Sequence, residues 1–351
     1  MRRSVRGKGG EALARTYALC LGAVAAAGTA VLCLLLAQGP AAPGDAKPED
    51  LVPAVRQPAV AGTFYPAAPD ILRQMVRALL QKARPTVPDA LRNQRPRAII
   101  VPHAGYVFSG QTAAYAYKLL VDQTKPSRVV VLGPSHYAQL DGLVSVSPFT
   151  HYRTPLGEVA VDVEAREQLL KSPLFASQRA AHIPEHSIEV QLPFLQVVWD
   201  EPPRILPIVT GDLDQKEVLK VAAVLREAAG PDALVVASSD FTHYGPRFGF
   251  TPFRDARGQE LATRIKQLDM GAVQCIKKCD ATGFLDYCER TGATICGRMP
   301  IALTLSLLSQ AGAPETVGLH YASSGELLGD YSDSVSYYAH AFYERPPQPA
   351  R

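Results

Sequence analysis

The chain has 351 residues, of which 47% are hydrophobic and 20% charged, with a formal net charge of +3. That apolar content is enough for a sizeable core, which sets disorder aside, and a charge so close to neutral gives no basis for nucleic-acid binding. The length admits one large domain or two ordinary ones.

Residues 1–17 carry five basic side chains (Arg2, Arg3, Arg6, Lys8, Arg15) against one acid, Glu11. Residues 18–37, "ALCLGAVAAAGTAVLCLLLA", then run twenty positions without a charge, about the length that crosses a bilayer as a helix. Basic residues ahead of such a span place the N-terminus in the cytoplasm and the rest outside. The span is long for a cleavable signal peptide, so a signal anchor is expected; the alternative is cleavage near "GPAA" and secretion. Cys33 precedes three leucines, which does not suit lipid attachment. Residues 38–55, rich in Pro, Ala and charge, read as a linker, and 346–351 as a tail.

From residue 56 to 345 strands alternate with helices, which predicts one α/β sandwich domain with helices on both faces of the sheet. "PDILRQMVRALLQKAR" places Ile71, Leu72, Met75, Leu79 and Leu80 at helical spacing, with Asp70 as its expected cap. "QKEVLKVAAVLREAAG" repeats the pattern with Val218, Val221, Ala222 and Leu225, and Gly230 ends it. Strands are expected at 143–147, 157–162, 204–212 and 334–343.

Three further apolar runs share a feature. "AIIVPHAGY" (98–106), "VVVLGPSHY" (129–137) and "ALVVASSDFTHYG" (233–245) are buried-strand patterns that release His103, His136, and Asp240 with His243. In open α/β sheets ligands bind beyond the carboxyl ends of the strands. Any one of these histidines, read alone, fills a turn or caps a helix; three in the same place predict a shared pocket. "PEHSIEVQLPF" (184–194) adds His186 between Glu185 and Glu189, placed to orient or charge it, with Ser187 as an expected helix cap. Asp240 is placed to fix the tautomer of His243. "TICGRMP" (294–300) offers Cys296 as a soft metal ligand or nucleophile, and Arg298 as a partner for the thiolate or for an anionic ligand. Six cysteines occur, at 20, 33, 275, 279, 288 and 296, none in a C-x-x-C pair. Export would permit disulfides among them.

Seven segments in order, "PHAGYVFSG", "LGPSHY", "YRTPLGE", "EHSIEVQLPF", "SSDFTHYG", "TICGRMP" and "DSVSYYA", resemble the Memo family, whose microbial members are called AmmeMemoRadiSam system protein B. The resemblance spans residues 56–345 and implies a mixed-sheet fold like that of class III extradiol dioxygenases, non-haem iron enzymes. It implies that His103, His136 and Cys296 face the metal, that Asp240 and His243 line the same pocket, and that His186 occupies the place of an active-site histidine. It also implies Fe(II) as cofactor and an Amme-domain protein and a radical-SAM enzyme as partners. The dioxygenases use two histidines and a carboxylate. Cys296 in the third place opens the site to copper or zinc and does not carry catechol cleavage over from the fold. The expected function is therefore a metal-dependent redox enzyme, with a non-catalytic metal or partner-binding protein, and then a zinc-dependent hydrolase, as alternatives.

Overall fold

The structure, a computed structural model, describes residues 54–312 and 314–345. The chain divides by contacts at Val52/Pro53, so the described residues belong to one unit. The expected span at 18–37 lies outside them; no helix among the described residues is long and apolar enough to cross a membrane.

Among the described residues twelve strands are formed in chain order: β1 (Val55–Arg56), β2 (Ala98–Val101), β3 (Arg128–Pro134), β4 (Val144–Val146), β5 (His151–Thr154), β6 (Gly157–Ala160), β7 (Phe175–Ala176), β8 (Arg204–Thr210), β9 (Leu234–Ser238), β10 (His243–Tyr244), β11 (Glu315–Ser323) and β12 (Ser334–Tyr343). The central strands β2, β9, β3 and β8 are adjacent and parallel. Antiparallel strands finish the sheet, β4 beside β8 and β12 beside β2, β10 and β11. A separate small sheet joins β1, β5 and β6.

The parallel strands are apolar through their centres because both faces are covered, and their side chains alternate between two cores. Ala98, Ile100, Val130, Leu132, Val235 and Ala237 face one core, packed with the helices Gln215–Ala229, Gly258–Lys277, Ala281–Thr291 and Arg298–Gln310. Ile99, Val101, Val129, Val131, Leu234 and Val236 face the other, beneath Pro69–Lys82, Tyr106–Tyr117 and Leu192–Val198. Each such aliphatic side chain contributes about 1.5–3 kcal/mol on burial. Parallel register brings the ends of β2, β9, β3 and β8 to one edge, where the chain turns out of the apolar layer.

Several local expectations shift. The helix Pro69–Lys82 starts at a proline that needs no donor, so Asp70 lies in its first turn and makes no cap. Its buried stripe is Leu72, Val76 and Leu80, which leaves Ile71 exposed. The Gln215–Ala229 helix follows the expectation and adds a capping box between Asp214 and Glu217. The strands expected at 143–147 and 157–162 are shorter, and the second belongs to the small sheet. The hairpin strand β11 and the helices between 258 and 310 complete the fold. Among the described residues Cys275, Cys279, Cys288 and Cys296 are all free thiols, so none of these four forms a disulfide.

Candidate metal centre

His103 leaves β2, His136 leaves β3, and Cys296 comes from the turn before the Arg298–Gln310 helix. One potential ligand atom from each lies within 4.8 Å of the others. The Cys296 Sγ is 3.1 Å from His103 Nε2. The rings of His103 and His136 stand edge to face with centroids 5.2 Å apart.

The hydrogen bonds behind the rings set their tautomers. Ser238 Oγ lies 2.6 Å from the Ser187 carbonyl and gives that oxygen its only proton. It can then only accept from His103 Nδ1, 2.9 Å away, and from Gln191 Nε2 at 2.8 Å. His103 therefore carries its proton on Nδ1, and its Nε2 lone pair faces Cys296. His136 is held likewise: its Nδ1–H donates to Glu185 Oε1 at 2.9 Å and its backbone N–H to Glu185 Oε2 at 2.8 Å. Burial works to raise the Glu185 pKa, but the His136 hydrogen bond and the charges of His136 and His186 outweigh it and bring it to about 2. An ionised carboxylate only accepts, so the His136 Nδ1 carries a proton that is committed to Glu185, which leaves Nε2 as the ring's other polar atom. Outer partners that fix ring and tautomer in this way are the usual support of histidine ligands.

Two glycines permit the close packing around these turns. A Cβ on Gly133 would lie 2.2 Å from Ser187 Oγ, so only glycine lets the His186 turn rest on the end of β3. A Cβ on Gly297 would lie 2.3 Å from Ser239 Cβ and 2.6 Å from the Ser238 carbonyl oxygen, which keeps the residue after Cys296 against the end of β9.

Asp240 is buried, and its Oδ1 accepts the backbone N–H groups of His103 and Ala104 at 2.8 and 3.3 Å. It orients the His103 loop and makes no hydrogen bond to the His243 ring. His243 instead directs Nδ1–H at the carbonyls of Phe241 and Thr294, 3.0 and 3.1 Å away, and stays outside the three-residue cluster. His186 does stand beside the cluster, stacked on His136 with centroids 4.7 Å apart and 5.6 Å from His103. Burial, then the neighbouring His103, lowers its pKa to about 3, so it is a neutral base at ordinary pH. Tyr137 Oη reaches toward its Nδ1 at 3.4 Å from the exposed side.

The two acids around His186 separate. Glu185 serves His136 and lies 3.7 Å from His186 Nδ1. Glu189 turns away to pair with Arg56 and to accept from Tyr65 Oη and the Ala59 and Val60 amides. Its role is to tie the chain's first described turn to the His186 turn. Glu185, accepting from the Ser187 amide, also takes the capping place expected for Ser187, whose hydroxyl is spent on Pro134 O. Arg298 forms an exposed ion pair with Asp212 at 2.7 Å and lines, with Cys296, a small pocket that reaches Ser135, Gln139 and Asp141.

The Cys296 thiol is pushed up by burial and then by the Asp240 charge, so it is protonated and donates toward His103 Nε2. A metal cation would take the place of that proton. Two imidazoles whose Nδ1 protons are held by outer partners, with a thiol beside them that a bound ion would deprotonate, fit a borderline or soft transition ion. The sequence pattern marks Glu185 as a partner of His186, whereas the structure gives it to His136; Ser238 and Gln191 are not marked, and the position of Ser238 at the end of β9 beside Asp240 is the signal that could have found it.

Sheet and site together define the class, an α/β protein with a candidate metal centre at the carboxyl edge of parallel strands. Comparison with known proteins narrows this. The model of the Memo-like protein family matches residues 56–341. A MEMO1 family protein of Thermococcus onnurineus is 36% identical over 290 residues, covering 81% of this chain and 97% of the relative. One from Methanopyrus kandleri is 36% identical over 294 residues, covering 82% and 98%, and one from Methanosarcina barkeri 36% over 288, covering 81% and 98%. The chain belongs to the Memo-like family.

Proposed function

We propose that this protein binds a single transition-metal ion through His103 Nε2, His136 Nε2 and Cys296 Sγ and uses it in redox chemistry on a small substrate. The observation that carries this reading is the pair of held imidazoles: the Nδ1 protons of His103 and His136 are both committed to outer partners, His103 Nε2 lies 3.1 Å from Cys296 Sγ, and one ligand atom from each of the three residues lies within 4.8 Å of the others. Fe(II) is the first choice for such a site in a dioxygenase-like fold; copper or zinc is favoured if the domain is exported, where a free thiolate and Fe(II) meet oxidising conditions. The bound ion would supply a redox-active or Lewis-acidic centre. Around it, His186 is placed to take or return a proton from substrate, Asp240 holds the His103 loop, and His243 offers Nε2 from the rim. Arg298 would exchange Asp212 for an anionic group of the substrate.

His186 supports turnover over mere storage, because a holding site needs no neutral, partly buried base beside the ligands. A non-catalytic metal-binding or partner-binding role is the second reading, and a zinc-dependent hydrolase the third. Within the same reading, residues 18–37 anchor the chain in a membrane with the domain outside the cytoplasm, and an Amme-domain protein and a radical-SAM enzyme act in the same system.

The test is anaerobic loading of the full chain with Fe(II), followed by oxygen-uptake measurements with a panel of o-diphenols, with and without a carboxylate. Substrate-dependent uptake abolished by His186→Ala, with iron retained, supports the catalytic reading. Iron binding without uptake for any diphenol contradicts the dioxygenase-like form and leaves the binding role.

A further inference from the structure

The metal ligands do not hold one another in place; one loop holds two of them. Within residues 238–243, Ser238, Ser239, Asp240 and His243 each contact His103 or the Cys296 turn. Ser238 Oγ accepts from His103 Nδ1, and the Asp240 carboxylate accepts the His103 and Ala104 amides. Asp240 O lies 3.6 Å from Cys296 Sγ, Ser239 Oγ accepts the Gly297 amide, and the His243 amide and carbonyl pair with Thr294 Oγ1. The separation between His103 Nε2 and Cys296 Sγ is thus set by the position of this loop.

The loop in turn rests on a buried acid in a helix that contributes no ligand. Asp269 is 0% exposed within Gly258–Lys277. Aspartate is a poor helix former, and a buried carboxylate is costly unless its oxygens are satisfied. Here both are. Asp269 Oδ1 accepts from Thr242 Oγ1 at 2.6 Å and from the Thr242 amide at 3.2 Å. Oδ2 accepts from Tyr321 Oη at 2.8 Å, and that phenol lies 3.0 Å from Ser336 Oγ. Ser336 and the loop are also joined through their backbones, Phe241 N to Ser336 O and Ser336 N to Thr242 O. Asp269 therefore clamps the loop, β11 and β12 at one point.

We propose that Asp269, acting through Thr242, is a positioning residue for the metal centre, which sets the His103–Cys296 spacing without touching the ion. The proposal rests on the metal-binding reading above. A buried network of this kind is cooperative, so losing one member relaxes the whole loop.

The test uses the full chain, metal-free, as wild type, Thr242→Val, Asp269→Ala and Asp269→Asn. Co(II) is titrated while the thiolate-to-cobalt charge-transfer band is followed. Thermal unfolding of each metal-free variant and the rate of Cys296 alkylation by iodoacetamide, read by peptide mass spectrometry, are measured in parallel. Loss of an outer support of a ligand costs about 10–100-fold in metal affinity. The expected result is a Co(II) affinity at least about tenfold weaker in Thr242→Val and Asp269→Ala, an altered band, faster alkylation of Cys296, and partial recovery in Asp269→Asn, which keeps an acceptor at Oδ1. Unchanged affinity, band and alkylation in variants that only melt earlier would overturn the proposal and leave Asp269 a purely structural group. If the wild type itself gives no cobalt band, the metal-binding reading fails as well; a wild-type band that the variants share removes only the role of Asp269.

Discussion

Glu185 grips His136 at two points, its Oε1 taking the ring Nδ1–H at 2.9 Å and its Oε2 the backbone N–H at 2.8 Å. With Glu185 ionised, the pair fixes the ring orientation and makes the free Nε2 a better donor. Glu185→Gln keeps the shape but removes the charge. Metal affinity should fall by about 10–100-fold, read by competition against a chromophoric chelator. An unchanged affinity would show that Glu185 serves the fold alone.

Metal binding should also release the Cys296 proton. Burial and the Asp240 charge hold this thiol up, so it enters the reaction protonated and must leave as thiolate. Calorimetry of Zn(II) binding in buffers of different ionisation enthalpy should give a proton release lower by about one in Cys296→Ser than in wild type. Affinity in the wild type should rise with pH through neutrality. Equal proton release in the two proteins would remove Cys296 from the ligand set.

Stability should fall as pH drops below the ordinary histidine range. His182 is lowered to about 4 and His186 to about 3, in both cases first by burial. A histidine with a depressed folded pKa stabilises fully above its unfolded value of about 6.5, because only the unfolded chain gains a proton below it. That contribution is lost as pH falls from about 6.5 toward 4. Glu185 behaves in the same sense at lower pH, its contribution present above the usual carboxylate range and lost toward about 2. Thermal melts of the metal-free protein should show a midpoint decreasing steadily from pH 7 to pH 4. In His182→Gln this slope should be shallower; an identical slope would place the acid sensitivity elsewhere.

Two sites tie the candidate centre to global stability. Arg56 and Glu189 form an ion pair with both side chains essentially sealed from solvent. Arg56→Met leaves the Glu189 charge uncompensated and should cost about 3–5 kcal/mol in urea denaturation. Gly297→Ala must displace Ser239 and the Ser238 carbonyl and should cost about 1–3 kcal/mol. A neutral result for either would mean that the surrounding turns can give way.

The strands that carry the site were readable because apolar runs bounded by turn residues leave little choice in a two-faced sheet; β2, β3 and β9 lie where the pattern put them. The convergence of His103 and His136 follows from the parallel register, which repeated strand exits in one chain can suggest; Cys296 joins them from the turn before the Arg298–Gln310 helix. The partners of each side chain were not readable. Asp240 and His243 stand three positions apart, which suggests a pair, yet Asp240 reaches across to the His103 loop, 137 positions away. Glu189 stands three positions from His186, one helical turn on, and only the position of Arg56, 133 residues earlier, decides that it serves the fold. Nothing in the sequence pattern singles out Asp269; its hydrogen bond to Tyr321 depends on β11, a strand that the pattern also leaves unmarked.

The central claim is that His103, His136 and Cys296 together hold one transition-metal ion. Elemental mass spectrometry of the full chain, purified anaerobically beside a His103→Ala/His136→Ala double variant, tests it most directly. The account predicts about one transition-metal ion per chain in the wild type, with iron as the expected element, and almost none in the double variant. Equal metal in both proteins, or none in the wild type even after reconstitution with Fe(II), Cu(I) and Zn(II), would contradict it.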